Sequence, residues 1–183
     1  MTEFIHLPGI GNSGEAHWQS RWEQADPTIR RFGPASWDQP DLADWIAALD
    51  RAIGAATAPP VLVAHSLACL LVAHWQQRTS LPVKGALLVA VPDPRSPAFP
   101  AEAAGFASVP ETRFRFPSTI VASTDDPFAS LSYVQARARQ WGSELVDVGA
   151  KGHINGASNL GDWPEGRRIL REFDARISGT LSH

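Results

Sequence analysis

At 183 residues, 44% hydrophobic and 19% charged, the chain is long enough to bury a substantial core and has an ordinary globular composition. A net charge of −3 with interspersed signs offers no basic footprint, so neither nucleic acid nor an anionic membrane surface is expected as a partner. The lone cysteine excludes an internal disulfide, no apolar run approaches the roughly 20 residues of a membrane span, and residues 1–20 lack the pattern of a secretory signal; a cytoplasmic protein is expected.

Phe4-Ile5-His6-Leu7 reads as a short strand stopped by Pro8-Gly9. Gly14 to Ala25 reads as a helix with Trp18 and Trp22 on one face, and Thr28 to Phe32 as an edge strand. Asp41 to Ala55 is amphipathic, with Leu42, Trp45, Ile46, Leu49 and Ile53 along one side. Val61 to Ala64 is a third strand, followed after Ser66 by a helix to about Arg78, and Val83 to Val91 is a fourth strand. Pro92 to Pro117 is a long irregular stretch rich in proline and phenylalanine. Thr119 to Ser123 is a fifth strand, Pro127 to Gly142 a helix, and Leu145 to Val148 a sixth strand. The last helix starts near Trp163, where Asp162 and Glu165 form a pair resembling a capping box.

Strands alternating with helices at this spacing imply one α/β domain over residues 1–183, a three-layer α/β/α sandwich around a mostly parallel sheet of about six strands. Ligands of such sheets bind at the carboxyl ends of the strands. Here the third strand ends at Ser66, the fifth at Asp125-Asp126-Pro127, and the sixth leads to Lys151-Gly152-His153. Three strand ends thus supply an alcohol, a carboxylate and an imidazole, in the chain order of α/β-hydrolases. The three types are chemically interdependent. A serine hydroxyl is a weak nucleophile until a base takes its proton, and an imidazole, titrating near ~6.5 in general, can take it and return it to a leaving group. A buried carboxylate fixes the imidazole's tautomer.

Ala64-His65-Ser66-Leu67-Ala68 has the small-x-Ser-x-small form of a nucleophile elbow, with alanine where glycine is usual at both flanks. The simpler alternative is a serine that only caps the following helix. Asp125 and Asp126 compete for the acid role, and Asp126, before Pro127, also reads as a helix N-cap. An oxyanion hole needs two backbone N–H groups. One is that of Leu67, after the serine; the other belongs to the glycine-rich loop Pro8 to Gly14. That loop lacks the spacing of a phosphate-binding motif. His65 is expected to pack behind the elbow and Cys69 in the core, and His6, His17 and His74 show no metal-ligand spacing, so neither metal nor cofactor is expected.

Ala64 to Ala68, Ser123-Thr124-Asp125-Asp126-Pro127-Phe128 and Gly152-His153-Ile154-Asn155 resemble the small serine hydrolases grouped with retinoblastoma-binding protein 9. Leu160-Gly161-Asp162-Trp163-Pro164-Glu165-Gly166 resembles the end of the bacterial members. The resemblance implies a compact, lidless α/β-hydrolase with Ser66, Asp126 and His153 as triad, the acid lying directly before the proline, and Ile10 as the second oxyanion donor. The Leu-x-Cys-x-Glu motif is absent, since Leu67 to Leu71 ends in leucine, so binding to the retinoblastoma protein is not expected.

The expected activity is hydrolysis of a small carboxylic ester, or an amide or thioester, through an acyl-Ser66 intermediate. The reading from another class is an interaction module that kept the fold without useful catalysis. Pro92 to Pro117 is too short for a cap domain and is expected to form one wall of the site, with Phe99, Phe106, Phe114 and Phe116 either lining an apolar pocket or packing over the sheet edge; short acyl groups should be favoured.

Overall fold

The computed structural model describes residues 1–180. Its strands are β1 (Phe4–Leu7), β2 (Arg30–Arg31), β3 (Val61–His65), β4 (Gly85–Val89), β5 (Ser118–Ala122) and β6 (Glu144–Asp147). They form one sheet in the order β2-β1-β3-β4-β5-β6, with parallel pairings throughout. The helices are α1 (Trp18–Ala25), α2 (Leu42–Gly54), α3 (Leu67–Trp75), α4 (Leu131–Trp141) and α5 (Pro164–Thr180). The alternating pattern led to this parallel α/β sandwich, and the resemblance to its α/β-hydrolase type.

The period-2 rule of strands sorts the core into two layers. Leu62 and Ala64 of β3 join Leu49 of α2, Leu70 of α3 and Trp141 of α4 on one face. Val61 and Val63 join Trp18 and Trp22 of α1 with Phe173 of α5 on the other. Both faces being covered, β3, β4 and β5 are buried along their whole length, which is why they read as continuous apolar runs. Every residue of α3 is buried as well, and its sequence is apolar but for His74, which bonds the Phe106 carbonyl.

The strand order reverses at β1. Chain entering β2 leaves on one side of β1 through α1, and β3 returns on the other side through α2. The carboxyl ends of β1 and β3 therefore flank the switch point where a crevice is expected.

Several boundaries differ from the sequence reading. Helix α1 begins at Trp18, four residues after Gly14, because the His17 ring accepts the Gln19 N–H and caps it there. The edge strand shrinks to Arg30–Arg31, the only residues registered against Ile5 and His6. Helix α4 begins at Leu131 rather than Pro127, with the Ser130 hydroxyl accepting the Tyr133 N–H as its cap. Helix α5 begins at Pro164, so Asp162 is not its cap; that carboxylate faces Arg21 at 3.4 Å instead. The stretch from Pro92 to Pro117 contains a 3₁₀ turn at Ala101–Phe106. Phe106, Phe114 and Phe116 from this stretch are buried in the α2–α3–α4 layer.

Candidate active site

Ser66 lies between β3 and α3 at φ 57° and ψ −122°, a region that side-chain-bearing residues rarely adopt and that costs about 1–3 kcal/mol. The neighbouring backbone holds it there: Ser66 N–H donates to the Val89 carbonyl at 2.9 Å, and the Ser66 carbonyl accepts from Cys69 N–H at 2.9 Å. Ala64 and Ala68 are fully buried on either side. The serine does not cap its helix through its side chain. Its Oγ stands 2.7 Å from His153 Nε2.

His153 Nδ1 faces the Asp126 carboxylate at 2.9 and 3.0 Å from its two oxygens, and the Asp126 side chain is only 4% exposed. A carboxylate accepts and does not donate, so the imidazole proton sits on Nδ1 and leaves Nε2 free to accept from Ser66. Asp126 Oδ1 also accepts the Phe128 N–H at 2.9 Å, a turn contact that replaces the helix-cap role open to it in the sequence. The His153 ring is bracketed by Phe128 at 4.3 Å and by His65 at 5.0 Å between ring centroids.

Asp125 points elsewhere. Its Oδ1 accepts from Gly152 N–H at 2.7 Å and from Ser123 Oγ at 2.9 Å, while Ser123 Oγ accepts Lys151 N–H at 2.9 Å. The Gly152 N–H, followed by the Ser123 hydroxyl, holds the Asp125 carboxyl below its usual range. Asp125 thus anchors the loop that presents His153. From behind the elbow, His65 Nε2 donates to the His153 carbonyl at 2.9 Å. Burial pushes the His65 imidazole well below its usual range, so it is neutral there. Cys69 is completely buried, which pushes its thiol up.

The loop after β1 presses directly onto the elbow. A Cβ added to Gly9 would lie 3.0 Å from the His65 carbonyl oxygen, 3.1 Å from Ser66 Cβ and 3.3 Å from Leu67 N. Only glycine permits that approach without a shift. The next N–H belongs to Ile10, and that of Leu67 begins α3. Among the described residues, neither donates to a protein acceptor. Both residues line a cavity of about 200 Å³ with Ser66 and His153. Phe99, Pro92, Pro100 and Phe128 form an apolar wall, and Asn12, His17 and Asn155 a polar one. Of the four phenylalanines from Pro92 to Pro117, Phe99 lines the cavity, while the other three take the packing alternative and are drawn into the core by contact with α3 and α4.

The family model for serine hydrolases matches residues 4–172. The chain belongs to the serine hydrolase family. A YdeN-like hydrolase from Pectobacterium atrosepticum is 32% identical over 97% of this chain and 92% of its own, with a TM-score of 0.86. The ydeN gene product of B. subtilis is 20% identical over 96% of this chain and 100% of its own, at a TM-score of 0.77. A thermophilic esterase from Thermogutta terrifontis shares the fold at 15% identity and a TM-score of 0.67, covering 97% of this chain and 90% of its own. A search of curated proteins found no match.

Of the residues singled out in the sequence, the hydrolase brings Ser66, Asp126, His153, Leu67 and Ile10 to one place. The sequence reading missed Asn12, His17, Asn155 and Phe128. For Phe128 the signal was its position two residues after Asp126. His17 was hidden inside a stretch read as continuous helix. Among the described residues, no group of three or more His, Cys, Asp or Glu side chains forms a metal-binding cluster, and no helix is long and apolar enough to cross a membrane.

Proposed function

We propose that this hydrolase cleaves small carboxylic esters, with thioesters and amides as related acyl substrates, through an acyl-Ser66 intermediate. Ser66 is the nucleophile, His153 the base and then the acid, Asp126 the carboxylate that orients it, and the Leu67 and Ile10 N–H groups the oxyanion hole. The observation that carries this reading is the unbroken hydrogen-bonded chain from Asp126 through His153 to Ser66, at 2.9 and 2.7 Å, opening on a cavity beside two N–H groups unpartnered among the described residues.

Ser66 Oγ bonds to the substrate carbonyl carbon as His153 Nε2 takes the hydroxyl proton. The carbonyl π pair moves onto oxygen, where the two N–H groups meet the developing charge. Collapse breaks the ester C–O bond, and His153 gives its proton to the departing alcohol oxygen. Water then gives a proton to His153 Nε2 and adds to the acyl carbon. The bond between the acyl carbon and Ser66 Oγ breaks, Oγ recovers the proton from His153, and the carboxylic acid leaves. Asp126 stabilises the imidazolium in both halves.

The cavity, at about 200 Å³, is smaller than the ~300–1,000 Å³ of drug-sized sites. Short acyl groups suit it, and kcat/KM across acetyl, butyryl, octanoyl and palmitoyl esters should peak at the short end. The deciding experiment is labelling with a fluorophosphonate. One adduct by intact mass, absent in Ser66→Ala, is expected. No adduct would favour a non-catalytic interaction module, and one that persists in the variant would remove Ser66 from the role.

A further inference from the structure

The polar wall of the cavity is built from donors whose acceptor atoms are already in use. His17 Nδ1 accepts the Gln19 N–H at 3.1 Å, as the cap of α1. A neutral imidazole that accepts at Nδ1 carries its proton on Nε2. Burial, more than any neighbouring charge, pushes His17 down to about 3, so the ring is neutral in ordinary buffers. Its Nε2 has no partner among the described residues, although the residue is only 5% exposed. Asn12 Oδ1 accepts from Ser13 N–H at 2.9 Å and from Arg31 Nη1 at 2.8 Å. Asn155 Oδ1 accepts from Ala157 N–H at 3.1 Å and from Ser158 Oγ at 3.4 Å. What each asparagine has left is its NH₂ group, unpaired within the described residues. Among the described residues, no Asp or Glu lines the cavity.

Of the three, His17 is the buried one, while Asn155 is half-buried and Asn12 exposed. A buried orphaned donor beside a substrate cavity is costly unless the substrate supplies its acceptor, and a site so built discriminates against analogues lacking that acceptor. We infer that His17 Nε2–H, with the amides of Asn12 and Asn155, receives an oxygen acceptor of the substrate, a carbonyl or carboxylate oxygen held a few bonds from the scissile carbonyl. The natural ester is then an oxygenated one, and a plain hydrocarbon ester fills the apolar wall while leaving these donors unmet. This inference rests on the acyl-transfer reading above.

The test compares kcat/KM on three acyl groups of matched shape: the 4-nitrophenyl esters of 4-methylpentanoate, 4-oxopentanoate and succinate, each corrected for its uncatalysed rate. 4-Methylpentyl and 4-oxopentyl acetate make the same comparison on the alcohol side. The expected result is a preference of about tenfold or more for the oxygenated member in at least one series, the size one well-made hydrogen bond supplies. The 4-oxopentanoyl ester leading points to a neutral carbonyl, and the succinyl ester leading to a carboxylate. That ratio should fall to near one in His17→Asn, because asparagine still caps α1 but is too short to bring a donor into the cavity. It should fall also in Asn155→Asp, which keeps the capping oxygen and replaces the NH₂ with an acceptor. Equal rates within both wild-type series, or a ratio that survives both substitutions, overturns the inference while leaving the Ser66 mechanism intact. Failure to hydrolyse any of the esters, with no fluorophosphonate adduct, refutes the mechanism and this inference together.

Discussion

Replacing His65 by leucine isolates the bond that ties the elbow to the base. His65 Nε2 donates to the His153 carbonyl at 2.9 Å, and the two residues are 5% and 9% exposed. Leucine keeps the volume roughly constant but leaves that carbonyl without its donor where water has little access, a loss of about 1–3 kcal/mol. At ~2–4 °C per kcal/mol for a chain of this size, Tm should drop by roughly 2–12 °C. The activity effect is separable. The bond fixes the backbone of His153, and a misplacement on the order of 1 Å costs about 10²-fold, so kcat should fall by about 10- to 100-fold, with the loss mainly in kcat rather than KM. Because burial keeps His65 neutral, the defect should persist across the assay pH range. His65→Gln carries an amide N–H to nearly the same place and should recover most of the lost kcat. Steady-state ester hydrolysis and thermal melts of both variants decide the matter. A leucine variant with a lowered Tm and unchanged kcat would make His65 a packing residue only, and a glutamine variant as slow as leucine would show that the hydrogen bond is not the cause.

Asp126→Asn should lower kcat by about 10⁴-fold, because an amide facing Nδ1 favours the tautomer with the proton on Nε2, which cannot accept from Ser66. Asp125→Asn should cost far less, and a reversed ranking would reassign the acid. Gly9→Ala should reduce kcat more than Tm, since its Cβ meets the elbow backbone at 3.0–3.3 Å and must push the Ile10 N–H away; wild-type kcat would remove Ile10 from the oxyanion hole. Stability should fall as pH drops from about 6.5 toward 3. Burial lowers His6, His17, His65 and His74 in the fold, so over that window the unfolded chain binds protons the folded one does not. Each such imidazole contributes up to about 1.4 kcal/mol per pH unit, and a Tm that does not change between pH 7 and 5 would contradict this.

The strand runs and the helix faces were legible because both are local periodicities. Leu62 and Ala64 alternate with Val61 and Val63 whatever lies opposite them, and Trp45 and Leu49 share a face of α2 by helical geometry alone. Ser66 and His153 were legible for a related reason: in a parallel sheet every strand ends on the same side, so residue types at strand ends can be brought together without knowing the loops. Boundaries failed where a side chain competed with the propensity signal. The His17 ring delays α1 and the Ser130 hydroxyl delays α4, and neither contact is encoded in hydrophobic spacing.

The amino-acid order by itself determined that a serine, a carboxylate and an imidazole would share one sheet edge, since strand direction and chain order suffice for that. It did not decide between Asp125 and Asp126. Both lie in the turn after β5, where no strand alternation assigns their directions, and only packing turns one toward the His153 ring and the other toward the Gly152 N–H. Nor did it decide which phenylalanine reaches the cavity. Phe99, Phe106, Phe114 and Phe116 are chemically alike, and their fates follow from how the chain between β4 and β5 lies over α3. The donor wall of Asn12, His17 and Asn155 is wholly a tertiary product. Each side chain caps or ties its own segment, and only the fold brings the β1–α1 connection, which carries Asn12 and His17, and the distant loop at Asn155 to line one cavity.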